Sequence, residues 1–359
     1  MQTLAKPAFK LGYRPSLNGL RTFAVLAVMA MHAGLPFAKG GTAGVDLFFV
    51  LSGFLITAIL IEEWDGTGTV SLKRFYLRRI LRLLPAAFAM LGLYAIYARF
   101  FETEAEAANT FRFTKYALAY VANWARAFRW SGHPALGHMW SLSVEEQFYI
   151  IWPLALIAML RVRIDRRVIL GLLILAICAV AANRALLWHG PDSFARTYNG
   201  LDTRADALLA GCAVALIASL GWLPVRPLAI QIARIVAAAG AVLLIYFVVV
   251  GPSREAYMRL GLATAIAVGA AAGLISLLSN PPVLFEKLLA FPVIDWIGSR
   301  LSYGLYLWHL PVFYIIGSPA GWHPLAVQLV RFAAAFALAL ASYYAIERPV
   351  LRLKDRLSH

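Results

Sequence analysis

Histidine, carboxylates and arginines set within apolar stretches are the residues of this chain that could do chemistry. The stretch RPSLNGLRTFAVLAVMAMH runs from Arg14 to His32, and Arg21 and His32 stand eleven positions apart in it. On a helix that is about 16 Å, or about three turns. A hydrocarbon core about 30 Å thick would hold Arg21 near one face and His32 beyond the midplane. An imidazole at that depth faces a bundle interior or a wet cavity. It is either a proton acceptor or a structural partner of a neighbouring helix.

Carboxylates enter two further apolar runs. Asp46 opens GVDLFFVLSGFLI at a depth similar to that of His32, where Gly44 and Gly53 permit close helix approach. It is either a partner for a buried group or a helix start. Glu145 and Glu146 enter the outer end of a third run in GHMWSLSVEEQFYIIWP, beside Trp140 and Tyr149. Two adjacent acids are too costly to both face lipid, so one is expected in a cavity and one towards water. In GLDTRADALLAG, Arg204 and Asp206 stand where they could pair with these acids. In SYGLYLWHLPVF, His309 is near mid-membrane and precedes Pro311. It either lines a cavity or bonds a backbone carbonyl.

The basic string SLKRFYLRRILRLLP packs Lys73, Arg74, Arg78, Arg79 and Arg82 along probable helix. A topological signal explains some of it. A phosphate clamp is the other reading, because guanidinium forks suit phosphate oxygens.

The elements that position these groups are membrane helices. Of 359 residues, 61% are hydrophobic and 14% charged, and apolar runs near twenty residues recur to the end. That pattern defines an all-α, polytopic membrane protein and disfavours a β-barrel, whose strands alternate. Ten spans are expected, at about 17–37, 44–61, 80–99, 141–160, 168–188, 204–220, 228–250, 258–279, 301–317 and 325–346. An even number puts both termini on one side. The segments on that side hold Lys6, Lys10 and Arg14, then Lys73 to Arg82, Arg161 to Arg167, Arg226, Lys287, Arg300, and Arg348 to Arg356. This asymmetry places the termini in the cytoplasm and explains a net charge of +15 without nucleic acid. The longest outer segment, 100–139, carries basic residues against the trend. Its aromatic stretch reads as an interfacial amphipathic helix or the border of an acceptor groove. Arg234 and Arg331 read as snorkelling or paired structural residues. Cys178 and Cys212 sit in apolar runs as packing residues, with no metal site implied. The whole chain, 1–359, reads as one domain around a polar intramembrane cavity.

Several of these strings resemble the acyltransferase-3 family of integral membrane acyltransferases. The similarity lies in RPxLxGLR, which ends at Arg21, then ten residues and His32; in the second-span string; and in the R-x-x-R pair Arg79 and Arg82 before Pro85. It continues in WSLSVEEQFY, in SYxLYLWH and in the closing Glu347-Arg348-Pro349, read as an interfacial ion pair. Asn18 stands where the family pattern has aspartate. The resemblance covers almost the whole chain, in the stand-alone form without a fused hydrolase-like domain. It implies transfer of an acyl group, acetyl above all, from cytoplasmic acyl-CoA to a hydroxyl of an extracytoplasmic or lipid-linked glycan, at the inner (cytoplasmic) membrane and without a metal. Under it, His32 is the base, with Asp46, Glu145 or Glu146 as its orienter. Arg21, Arg79 and Arg82 hold the donor. Arg14, Trp140, Arg204, Asp206, Tyr306 and His309 face the acceptor. An organic-anion transporter and a non-catalytic scaffold are the rival classes, but neither inverted repeats nor paired broken helices are evident.

Overall fold

The computed structural model describes residues 10–357, with no side chain described beyond Arg352. Lys6 and the Arg356 side chain, both expected at the inner face, lie outside the described residues.

Every described element is helical. In chain order they are α1 (Pro15–His32), α2 (Ala43–Thr67), α3 (Leu72–Phe101), α4 (Glu104–Leu118), α5 (Ala122–Ala127) and α6 (Met139–Arg161). Then come α7 (Arg166–Leu186), α8 (Phe194–Asn199), α9 (Leu201–Ser219), α10 (Pro227–Val250), α11 (Arg254–Met258) and α12 (Leu262–Ser279). The last are α13 (Val283–Leu289), α14 (Pro292–Trp296), α15 (Ser302–Ile316), α16 (Pro324–Ser342) and α17 (Arg348–Leu357).

Helix occupies all ten expected stretches. Among the described residues, seven helical stretches are long and apolar enough to cross a membrane: Ala43–Thr67, Leu72–Phe101, Pro134–Arg161, Arg166–Leu186, Pro227–Val250, Leu262–Ser279 and Pro324–Arg352. The chain is thus a polytopic membrane protein. The helices that fall short are α1, α9 and α15. Helix α1 carries Asn18, Arg21 and His32; α9 carries Asp202, Arg204 and Asp206; α15 has 15 residues. Polar helices need shelter from lipid, and α9 and α15 are largely buried among their neighbours.

Helix α2 is the hub, packed against α1, α6, α9 and α12. Its crossing with α9 is glycine-on-backbone. A β-carbon on Gly53 would run into the Leu208 carbonyl, and one on Gly211 into the Val50 carbonyl. Close approach of this kind replaces the hydrophobic drive that lipid removes.

Helix α1 is shorter than expected. It stops at His32, because Gly34 takes a left-handed φ of 74° and Pro36 follows. His32 therefore ends its helix rather than sitting inside it. The expected interfacial helix is also divided. Helix α4 begins with a Thr103–Glu106 capping box, and the chain breaks at Tyr120, with φ 52°, before α5. Two π-helical turns, Ile297–Leu301 and Tyr343–Glu347, flank α15 and α16.

Candidate active site

A cavity of about 640 Å³ opens among α1, α2, α3, α6 and α15. Five arginines line it: Arg14, Arg21, Arg78, Arg79 and Arg82. Glu145 and Glu146 are its acidic residues. The excess of guanidinium makes it a place for an anion. Arg79 Nη2 donates to Glu146 Oε1 at 3.0 Å, and its guanidinium lies 3.2 Å over the Tyr149 ring. Among the described residues, Arg21 and Arg82 have no carboxylate within ion-pair distance. Both are free to meet a ligand's charge.

The sequence placed Arg79 and Arg82 near one face and the glutamates in the opposite half. The structure brings them together. Arg79 lies seven residues past Leu72 and Glu146 seven past Met139, so each stands about 10 Å in from the N-terminal end of its helix. Two long side chains close the remaining gap. Both glutamates face the cavity, rather than one facing water. The next residue, Gln147, is held outside it: its amide donates to the Tyr120 carbonyl at 2.7 Å and accepts from Trp124 Nε1 at 3.1 Å.

At the cavity mouth Tyr13 and Asn18 converge on Asp295. The Tyr13 hydroxyl and Asn18 Nδ2 each donate to it at 2.8 Å. The carboxylate beside it pushes the Tyr13 phenol above its ordinary value. A neutral amide at 18 suits this site, since a second carboxylate there would face Asp295.

The far end of the cavity is closed by Ser141 and Tyr306, whose hydroxyls touch. The His138 carbonyl lies 3.1 Å from the Ser141 hydroxyl and 3.3 Å from that of Tyr306, so one hydroxyl donates to the other and the second donates to this carbonyl. Beyond this bar lie three histidines, His32, His138 and His309. His309 Nδ1 faces two backbone carbonyls, Leu305 at 3.1 Å and Tyr306 at 2.8 Å. Carbonyls only accept, so this nitrogen carries the proton. His309 Nε2 then holds a lone pair, and it lies 3.0 Å from His32 Nδ1. His32 Nδ1 must donate, which leaves the lone pair of His32 on Nε2. The tautomer of His32 is thus fixed, and the group at its Nδ1 is an imidazole rather than Asp46, Glu145 or Glu146.

The other expected site residues are drawn elsewhere. Asp46 accepts from Arg204 at 2.5 Å and from the Tyr257 hydroxyl, in a pair at 1% exposure on both sides. Arg204 also lies 5.3 Å from the Tyr198 ring and 5.9 Å from that of Trp140. Asp206 accepts from Arg184 at 2.9 Å and from Thr264 at 2.7 Å. Arg184 further bonds the Thr203 carbonyl at 2.7 Å and that of Met258 at 3.3 Å. This is a tie between α7, α9 and α12. Trp140, Arg204, Asp206 and His309 stand outside the cavity lining, whereas Arg14 and Tyr306 belong to it. Glu347 turns inward to accept from Ser342 at 3.2 Å, and Arg348 stacks on Tyr344, so the two do not form the expected ion pair. Arg234 and Arg331 are structural, bonding the Asn280 and Gly317 carbonyls.

Sequence reasoning missed His138, Arg126, Arg184 and Tyr257. His138 sits inside the GHMWSLSVEEQ string, and Arg184 is a lone arginine in an apolar run. Both carried a signal, as intramembrane polar groups do.

The chain is a helical membrane bundle that holds an arginine-lined cavity and a buried histidine pair. The chain belongs to the acyltransferase-3 family: the family's acyltransferase-domain model matches residues 14–348. It is 36% identical over 357 residues to the peptidoglycan O-acetyltransferase OatA of Listeria monocytogenes, covering 94% of this chain and 56% of that protein. It is 32% identical over 353 residues to the O-acetyltransferase OatA of Staphylococcus aureus, covering 94% and 57%. The chain thus spans about half the length of the curated relatives it matches. No solved structure matches it.

Proposed function

We propose that this protein transfers an acetyl group from acetyl-CoA, held from the cytoplasmic side of the inner membrane, to a hydroxyl of an extracytoplasmic or lipid-linked glycan. The observation that carries the reading is the arginine-lined cavity whose wall residue Tyr306 packs 5.6 Å from His309, the partner of His32, although neither histidine lines the cavity itself. Arg21, Arg79 and Arg82 suit the phosphates of a coenzyme A donor. The relatives' names support acetyl as the group and peptidoglycan as a candidate glycan. The charge asymmetry of the loops supports cytoplasmic termini.

A hydroxyl is a weak nucleophile and needs a base near neutrality. In this reading the acceptor hydroxyl gives its proton to His32 Nε2 as its oxygen attacks the thioester carbonyl carbon. His309 steadies the imidazolium through Nδ1 of His32. The tetrahedral adduct collapses, the C–S bond breaks, and the imidazolium returns the proton to the thiolate. Oxygen ester and free thiol leave.

The test is a sided proteoliposome assay, with orientation checked by protease access at the C-terminus. Acetyl-CoA is supplied on the cytoplasmic face and an impermeant glycan acceptor on the other. Acetylated glycan is expected from wild type and none from His32→Ala. Product formed only when both substrates share the cytoplasmic side would overturn the sidedness.

A further inference from the structure

His138 is 3% exposed, and neither of its ring nitrogens makes a well-aligned hydrogen bond, although the Leu307 carbonyl lies near the ring. A neutral imidazole has one donor and one acceptor, and burying both unmet costs stability. Replacement by an apolar ring would be easier for the fold. An orphaned pair of this kind marks a place where a ligand completes the bonding.

Its surroundings say which ligand. The His138 ring lies 5.3 Å from that of His309, edge-on, and 5.5 Å from that of Tyr306. His309 in turn is stacked 5.1 Å from His32. His138 is therefore packed against the dyad and behind Tyr306, which lines the cavity. It stands at the N-terminal boundary of α6 without capping it. Arg126 approaches from α5. Its Nε donates to Asn199 Oδ1 at 3.2 Å, and a β-carbon on Gly137 would come within 2.9 Å of its Nη1. Among the described residues Arg126 has no carboxylate within ion-pair distance. A donor imidazole, a guanidinium and no acid make a corner for developing negative charge.

Building on the acyl-transfer reading, we propose that His138 is a catalytic residue that donates a hydrogen bond to the acyl carbonyl oxygen as it becomes an oxyanion, with Arg126 reinforcing it. His138 moves no proton in this role. It binds the tetrahedral adduct more tightly than the substrate, which is where a fixed donor accelerates acyl transfer.

The test pairs activity with stability. His138→Phe removes the donor together with both orphaned nitrogens, while keeping a ring against Tyr306. Its melting temperature in detergent should equal or exceed that of wild type, its KM for acetyl-CoA should stay within about threefold, and its kcat should fall by about 10²–10³. His138→Gln keeps an N–H and should recover part of the loss. A kcat for His138→Phe within tenfold of wild type would overturn the proposal. So would a lowered melting temperature in both variants, which would mark His138 as scaffold. The same variants are assayed with p-nitrophenyl acetate as acetyl donor. Wild type that uses this ester but not acetyl-CoA sinks the coenzyme A reading alone, and the His138 comparison is then decided with the ester.

Discussion

Nε2 of His309 lies 3.0 Å from Nδ1 of His32, although the two residues are 277 positions apart in the chain. His309 is fully buried and tied to the carbonyls of its own helix, whereas His32 is only partly buried. The pair therefore has one fixed member and one accessible member. His309→Ala should lower kcat by about 10²–10⁴, the range for loss of general-base assistance. His309→Gln, whose side-chain oxygen can still accept from Nδ1, should lose less. Equal turnover in wild type and His309→Ala would end the dyad assignment.

Arg82→Ala should weaken donor binding more cleanly than Arg79→Ala. Arg82 has no acidic partner among the described residues, while Arg79 is bonded to Glu146 at 3.0 Å. Losing Arg79 strands a carboxylate, so Arg79→Ala should also lower the melting temperature, and adding Glu146→Gln should restore it. Lysine at 82 should rescue affinity poorly, because it lacks the planar fork. Calorimetric titration of each variant with coenzyme A decides this; unchanged affinity in all of them would leave these arginines as topological signals.

Arg184→Ala should destabilise by about 3–5 kcal/mol, the penalty for breaking a buried ion pair. The Arg184–Asp206 pair is 0% and 3% exposed on its two sides. Because the tie stands outside the cavity, turnover per folded molecule should be unchanged. Active-site titration beside thermal unfolding separates the two, and a lowered turnover per folded molecule would bring Asp206 back into the site.

Asn18→Asp should make stability pH-dependent. The amide donates to Asp295 at 2.8 Å, and a carboxylate there would repel it. Two facing carboxylates raise one another's pKa, so the penalty is present above the raised value and relieved as pH falls through it. The variant's melting temperature should sit below wild type at pH 8, by the equivalent of about 1 kcal/mol for the lost bond. The deficit should shrink towards pH 5, and a constant deficit across that range would count against the contact.

The ten helical stretches and the polar strings were legible because apolar runs and intramembrane charges are local properties of sequence. Pairings were not. Arg79 meeting Glu146, and His32 meeting His309, depend on where long helices overlap in depth and how they rotate. The carboxylates looked like partners for His32 because an acid beside an imidazole is chemically ordinary. Asp46 and Glu146 had better-placed cations, Arg204 and Arg79, and Glu145 accepts from the Tyr149 hydroxyl at 3.3 Å. Helix α1 was read too long because Leu35 and Phe37 prolong its hydrophobicity past Gly34. His138 was passed over because its neighbours in the string drew the eye to acids.

The touching hydroxyls of Ser141 and Tyr306 have an electrical meaning as well as a chemical one. A chamber built through an energised bilayer is a short circuit unless it is plugged, since each elementary charge that slips through dissipates about 2.3 kcal/mol per 100 mV of membrane potential. The arginine-lined cavity has this bar in its wall, and its fixed positive charges repel protons and metal cations. A polar cavity can thus sit inside the membrane without becoming a path for cations.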